Sequence, residues 1–439
     1  MRRTRRALAL TAAGLVLASS DAWTKEPDRA VWAKDLEFLI DEIGKDENAG
    51  RLLKQKNVDW AAVGREFRAA LKTVKSDADF VKLAIRLVAH LRDGHATLTN
   101  PRVQPPDESK GRRFGGPGAF LVASEGKVFI RSAWGDGAAR GLAPGMEVVK
   151  IDGLAAAKWL DARVAAMSDE AGYSTDQQAR YAACHWGLGG WEGEKITFDV
   201  AKDRSVKSID VVRGRDSIVP DGPVFPPKDL KSLGRQSYGK TPAGFGYIHL
   251  RDVPGDLPLQ LDTMLVAIGD VPGLVLDCRA NGGGGCDHAA VFARFLAEGQ
   301  AWTGDEGAKY RGEGSRPYAG PMVVIVDAGV RSAGETVAGM FKEDGRAYMI
   351  GDSPTAGMSS QKKELAVPSG LFGVRFSVRS NKARFNGGRG IEGIGVPPHE
   401  LVPYDPAEIA KGIDSQVRRA EELLQKGFPG GKVLYKPDR

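Results

Sequence analysis

Met322-Val-Val-Ile-Val326 is an unbroken apolar run that ends at once in the small-residue turn Asp327-Ala-Gly-Val-Arg331. A run this short, bounded by turn residues, reads as a buried strand, and a buried strand needs other layers packed against it. A helical pattern follows from about Ala333 to Asp344. The same alternation stands upstream. Gly246-Tyr-Ile-His-Leu250 reads as a strand, Leu257 to Ile268 as a helix, and Gly273-Leu-Val-Leu-Asp277 as a second buried strand. A glycine turn, Asn281-Gly-Gly-Gly-Gly285, then feeds a helix from His288 to Leu296. Strands near Ala347 to Ile350 and Val374 to Val378 and a charged amphipathic helix from Pro406 to Gln425 complete the pattern. It predicts an α/β layered core over residues 243–439.

The segments before this core have other periods. From Pro27 to about Leu91 the apolar residues fall on helical stripes, such as Trp32, Leu36, Leu39, Ile40 and Ile43. Ser76-Asp-Ala-Asp79 caps a helix that stops near Arg92-Asp93-Gly94-His95, with Gly94 as the expected stop, so residues 23–111 are expected to form a helical domain. Residues 112–213 carry short β runs (Ala119 to Val122, Lys127 to Ser132, Met146 to Ile151, Ile196 to Ala201, Ser208 to Val212) and one helix, Ala155 to Met167. Residues 214–242 are polar and rich in Pro, Gly and Lys, the composition of a linker.

Residues 1–22 read as a cleavable secretory signal: Arg2, Arg3, Arg5 and Arg6, an apolar stretch from Ala7 to Ala18, and a small-residue cleavage site at Ala18-Ser19-Ser20. The expectation is an exported protein with no membrane span, because the apolar stretch is shorter than the roughly 20 residues a spanning helix needs. Loss of those four arginines takes the formal charge from +6 to +2, which leaves no electrostatic case for nucleic acid. Three cysteines, Cys184, Cys278 and Cys286, do not make a disulfide scaffold, although Cys278 and Cys286 could pair. No cofactor motif and no zinc-type His/Cys cluster is present, so neither a cofactor nor a metal is expected.

Ser332 stands where the strand at 322–326 turns into a helix. There it is either an N-cap or a nucleophile whose developing oxyanion would meet the free N–H groups of a helix N-terminus. A serine hydroxyl needs a base. His90 and His249 lie inside regular elements, where packing is the better reading; His185 and His399 suit solvent-facing loops, and His288 starts a helix. His95, on a turn after a helix stop, is best placed to face a cleft. The glycines at 282–285 suit a plain turn or a set of backbone donors that a carbonyl can approach closely. Glu335, one helical turn from Ser332, fits a capping box, and Glu392 lies between glycines in Gly390-Ile-Glu-Gly393.

Together these segments resemble one family of serine peptidases, which includes the C-terminal (tail-specific) processing peptidases, the tricorn core protease and the interphotoreceptor retinoid-binding protein. Leu91-Arg-Asp-Gly-His-Ala-Thr97 is similar to its L-x-D-x-H-T, and Gly141-Leu-Ala-Pro-Gly-Met-Glu-Val-Val-Lys-Ile-Asp-Gly153 to its PDZ signature. Gly246-Tyr-Ile-His-Leu250, Leu274-Val-Leu-Asp-Cys-Arg-Ala-Asn-Gly-Gly-Gly284, Arg331-Ser-Ala-Gly-Glu335, Pro354-Thr-Ala-Gly357 and Ile391-Glu-Gly-Ile-Gly-Val-Pro-Pro398 resemble further motifs in family order. The resemblance implies a ClpP/crotonase-like α/β core, an N-terminal helical bundle and an inserted PDZ-like domain at 112–213. It also implies endopeptidase activity on a peptide or protein substrate, whose C-terminus the PDZ-like domain would receive.

The Ser-Lys branch places its base lysine where this chain has Met358, and a thioether accepts no proton. The tricorn-like branch is the closer one. It implies Ser332 as nucleophile, His95 as general base, Glu392 as the residue that orients the imidazole, and an oxyanion hole from the N–H of Ala333 with Gly282 or Gly283. The tricorn pattern has a serine just before the histidine; here that residue is Gly94. A catalytically silent peptide- or lipid-binding relative is the competing expectation. An α/β-hydrolase is disfavoured because Val330 occupies the first glycine position of its elbow.

Overall fold

The first layer is made of four helices, the last three of which start at a side chain that takes up free N–H groups. In the computed structural model, which describes residues 29–104, 111–202, 205–215 and 225–431, these are α1 (Arg29–Lys45), α2 (Glu47–Gln55), α3 (Trp60–Ala70) and α4 (Asp77–Ala89). Asp46 caps α2, Asp59 caps α3 and Ser76 caps α4. The expected export signal, and residues 216–224 of the expected linker, lie outside the described residues. The apolar stripes of the four helices close on Trp32, Leu36, Phe67, Phe80 and Leu87, joined by Val374 and Phe376 from far along the chain. Strand β1 (Thr97–Thr99) makes the same long-range connection by pairing with residues 373–375.

The chain leaves α4 differently from expectation. Arg92 takes the positive φ, 48°, that ends this segment, and Gly94 has no positive φ. Gly94 is small for another reason: a Cβ there would lie 2.7 Å from Met358 Sδ.

The middle unit holds β2 (Ala119–Ser124), β3 (Lys127–Ala133), β4 (Glu147–Ile151), α5 (Ala156–Glu170), α6 (Asp176–Cys184), β5 (Lys195–Lys202) and β6 (Ser205–Val212). The strands lie in that order, every neighbour antiparallel, with β2 at one edge. Helix α6 is absent from the sequence reading. Its start is marked by Thr175, whose hydroxyl accepts the N–H of Gln178.

The core sheet contains β7 (Gln236–Lys240), β8 (Gly246–His249), β9 (Leu274–Asp277), β10 (Met322–Val326) and β11 (Tyr348–Gly351), side by side in that order. From β8 to β11 every pair is parallel. All of β9 and β10 is buried, which explains why both runs are apolar throughout. Connecting helices α7 (Leu257–Ile268), α8 (His288–Ala293) and α9 (Ala333–Glu343) pack with one face of the sheet into the largest apolar cluster. A separate antiparallel sheet is made by β1, β12 (Ser360–Ala366) and β13 (Gly373–Ser380), with β13 in the centre. The two-residue strand β14 (Glu400–Leu401) extends the core sheet beyond β11, and α10 (Ser415–Lys426) covers its other face.

Two expectations give way here. Residues 231–240 are no linker: Lys231–Leu233 and β7 form a hairpin that lengthens the core sheet. The expected helix from Pro406 to Gln425 is two helices, Pro406–Ile409 and α10. Between them Gly412 adopts φ 74°, and Asp414 re-caps the chain through the N–H groups of Gln416 and Val417. All three cysteines are unpaired, so Cys278 and Cys286 form no disulfide.

Candidate active site

Ser332 sits at the junction of β10 and α9 with φ 56° and ψ −126°, a conformation that costs a non-glycine residue about 1–3 kcal/mol. Surrounding contacts hold it there. Its N–H donates to the carbonyl of Met358 at 2.8 Å and lies 3.2 Å from Glu335 Oε2. Glu335 is fully buried and also accepts from the Thr355 hydroxyl (2.6 Å) and the N–H groups of Gly357 (2.7 Å) and Met358 (2.8 Å). Burial pushes its carboxyl up to about 8, and these donors work against that rise. Glu335 therefore does more than cap a helix: it ties the serine turn to the segment after β11.

His95 reaches the serine from the other end of the chain. Its Nε2 lies 3.3 Å from Ser332 Oγ. The turn that carries it is fixed by Asp93, whose two carboxylate oxygens accept the N–H of His95 (2.9 Å) and the N–H of Ser377 (2.7 Å). Gly94 donates its N–H to Ser174 Oγ, 3.0 Å away, at the start of the α6 region. Burial lowers the imidazole to about 4; the nearby Lys362 charge acts in the same direction and Asp93 opposes it. The ring is therefore neutral at ordinary pH, the form a general base must have.

Glu392 is completely buried, and its carboxylate oxygen comes within 4.8 Å of a His95 ring nitrogen and of Asp93. The expected hydrogen bond to the imidazole is not formed. Glu392 Oε1 accepts from Lys56 Nζ at 2.7 Å and from Ser174 Oγ at 2.8 Å, while Oε2 has no partner. Burial raises the carboxyl, and the Lys56 ammonium opposes that shift. Asp93, His95 and Glu392 form the one group of metal-ligand type among the described residues. A cation there would compete with Lys56 for Glu392 and would meet an Asp93 already engaged by two amides.

The glycine turn lies against the nucleophile as expected of a close-approach site. A Cβ on Gly283, whose φ is 83°, would stand 2.7 Å from Ser332 Cβ and 3.3 Å from the Ala333 nitrogen. The donors are distributed differently from expectation. The N–H of Gly282 is taken by the carbonyl of Arg251 (3.0 Å) and that of Gly283 by Asn281 Oδ1 (2.9 Å). An incoming carbonyl would have to displace one of these acceptors. Ala333 opens α9, where the first N–H groups of a helix lack intrahelical acceptors.

Of the other histidines, His90 contacts Asp169 at 3.0 Å and His249 the carbonyl of Arg279 at 3.0 Å, both structural roles. His185 is buried, contrary to expectation, and bonds Arg131 and the carbonyl of Tyr181. His399 accepts the N–H of Met349 and stacks on Tyr348.

Met358 occupies the place of the absent lysine. Its Sδ contacts Gln178 Nε2 at 3.3 Å, and it fills the space beside Gly94. Lys362 donates to the Ser360 carbonyl at 3.1 Å, and Lys363 pairs with Asp46 at 2.9 Å. Neither lysine bonds Ser332 in the described structure. Sequence reasoning missed Lys56, Ser174, Ser360 and Ser377.

Known proteins resemble this chain in sequence and in fold. Residues 244–402 match the model of peptidase family S41. The chain carries an S41 peptidase domain. A tricorn protease homologue of Streptomyces coelicolor is 24% identical over 418 residues, which cover 90% of this chain and 33% of that protein. A carboxy-terminal-processing protease of Bartonella bacilliformis is 30% identical over 159 residues, 34% of this chain and 35% of that protein. The chain thus matches about a third of the length of these curated relatives. Among solved structures, mature CPAF shares the fold with a TM-score of 0.66 at 13% identity, over 92% of this chain and 99% of that one. The S41 domain contains Ser332 and Glu392, whereas His95 lies outside the matched segment.

Proposed function

We propose that this chain is an exported serine endopeptidase that cuts peptide bonds near the C-termini of peptides or proteins. The contact that carries the proposal is His95 Nε2 at 3.3 Å from Ser332 Oγ, on a strained strand-to-helix turn. Ser332 Oγ attacks the scissile carbonyl carbon as its proton passes to His95 Nε2. The oxyanion that forms meets the N–H of Ala333. His95 then protonates the leaving amine, and the acyl-serine is hydrolysed by water through the same base. Glu392 and Asp93 stabilise the imidazolium by their charge from within 4.8 Å.

The middle unit is proposed to act as a PDZ-like receiver of chain ends. Its edge strand β2 and helix α6 flank a cavity of about 210 Å³, lined by Leu121, Val122, Arg131, Tyr181 and His185. An exposed sheet edge beside a helix suits an extended peptide. Export rests on the basic and apolar character of residues 1–22 and is tested by N-terminal sequencing of the secreted form. A silent binding relative would have no use for a serine and histidine at hydrogen-bonding distance.

The test is a fluorophosphonate probe on the purified protein, with the adduct located by mass spectrometry. An adduct on Ser332 that disappears in His95→Ala is expected. A folded protein that stays unlabelled would overturn the assignment.

A further inference from the structure

We infer that Ser360, backed by Ser377, is the residue that positions His95, in the place where a triad carboxylate would stand. This inference rests on Ser332 and His95 working as proposed above. For Nε2 to take the proton of Ser332 it must carry the ring's lone pair, so the single proton of the neutral ring sits on Nδ1. That N–H needs an acceptor. Among the described residues the atom at hydrogen-bonding distance from Nδ1 is Ser360 Oγ, 3.3 Å away. Ser360 Oγ lies 2.5 Å from Ser377 Oγ, so its own proton has an acceptor once it receives the Nδ1–H. Both serines are buried, at 2% and 5% exposure, so water is a poor substitute for either hydroxyl.

The backbone is shaped to deliver this contact. Ser360 opens β12, and the pairing of β12 with β13 slips between Gln361 and Lys362. A slip of this kind re-aims the side chains beside it, and it is a frequent device next to active sites. Asp93 closes the loop by holding the N–H of His95 with one oxygen and the N–H of Ser377 with the other. The path His95–Ser360–Ser377–Asp93 therefore begins and ends on the same turn. Glu392 forms no hydrogen bond to the ring: Lys56 and Ser174 hold its Oε1, and its Oε2 has no partner. A neutral hydroxyl supports an imidazolium less than a carboxylate does.

The experiment compares the full chain with Ser360→Ala, Ser360→Thr and Ser377→Ala. Rates of fluorophosphonate labelling and peptide turnover are measured against pH, and the His95 tautomer is read by ¹⁵N NMR. Ser360→Ala should slow labelling and kcat about tenfold with KM unchanged, the scale of one unsatisfied buried donor. Ser360→Thr, which keeps the hydroxyl, should stay within about threefold of the wild type, and Ser377→Ala should fall between the two. NMR should find Nδ1 protonated in the wild type and a tautomer mixture in Ser360→Ala. A Ser360→Ala protein with wild-type rates and pH profile, or a wild-type ring protonated on Nε2, would overturn the inference. Failure of the peptidase reading looks different: the wild type would not label at all while its ring remained Nδ1-protonated, which would support the positioning contact.

Discussion

Gly94→Ala should damage this protein only while Met358 is present. Gly94 has no positive φ, so alanine meets no backbone objection there, and in a compatible conformation the change would stabilise by about 0.4–1 kcal/mol through the unfolded state. The new Cβ, however, would lie 2.7 Å from Met358 Sδ and 2.8 Å from its Cγ. Overpacking of that kind costs about 1–3 kcal/mol. Met358 cannot simply swing away, since its backbone N–H and carbonyl hold Glu335 and Ser332 and its sulfur rests on Gln178. The single variant should therefore lose about 1–3 kcal/mol in denaturant unfolding and label more slowly at Ser332, because His95 is the next residue. Met358→Ala opens the space. In that background Gly94→Ala should turn neutral or stabilising, giving a coupling of about 1–3 kcal/mol in a double-mutant cycle. Equal effects of Gly94→Ala in the two backgrounds would refute the contact as the reason for the glycine.

Three further outcomes are expected. Ser332→Gly should abolish labelling yet raise stability by about 1 kcal/mol in urea unfolding, because glycine adopts φ 56° without strain; a loss of stability would mean the turn is not strained. The acid limb of kcat/KM should fall near pH 4 and not near 6.5: the lowered folded pKa keeps His95 neutral down to that point. The same shift makes the unfolded state bind more protons between those values, so stability should drop as pH falls from 6.5 towards 4, and a limb near 6.5 would contradict the burial of the ring. Lys56→Met should destabilise by about 3–5 kcal/mol by leaving Glu392 buried without its cation, and adding Glu392→Gln should recover part of that loss; calorimetry of the two variants decides it.

The elements legible in the sequence are those whose pattern is local. Met322–Val326 and Leu274–Asp277 are buried on both faces and so are apolar at every position. The cap at Ser76 lies next to the helix it starts. Helix α6 is absent from the sequence reading although Thr175-x-x-Gln178 is a capping-box pattern, because its buried face, Gln178, Ala179, Ala182, Ala183 and Cys184, offers no stripe of large apolar residues. The hairpin at 231–240 was hidden because an edge hairpin is solvated and needs no apolar alternation. At the site, Ser332, His95 and Glu392 stood in ordered motifs, but their partners did not. A serine such as Ser360 or Ser377 has no pattern of its own, and its meaning depends on a strand register that a single slip decides. Lys56 sits at the end of a charged helix, where a solvated lysine is the ordinary expectation, and only the fold turns it towards Glu392.

The site is also where the helical layer, the middle unit and the core meet. Lys56 and His95 come from the helical layer, Ser174 and Gln178 from the α6 region of the middle unit, and Ser332, Ser360 and Glu392 from the core and its flanking sheet. Ser174 is the joint between them, because it accepts the N–H of Gly94 and donates to Glu392 while its own N–H reaches Gln178. Thr175 and Gln177 add bonds to the carbonyls of Ala356, Thr355 and Ile394, the backbone that also carries the Glu335 cluster. A displacement of α6 would therefore disturb both the turn that carries His95, through Ser174, and the backbone at 355–358 that holds the Ser332 turn. It follows that strain imposed on the middle unit, by a ligand at β2 and α6 or by a mutation there, should change the Ser332–His95 distance, because α6 is bonded to the supports of both residues.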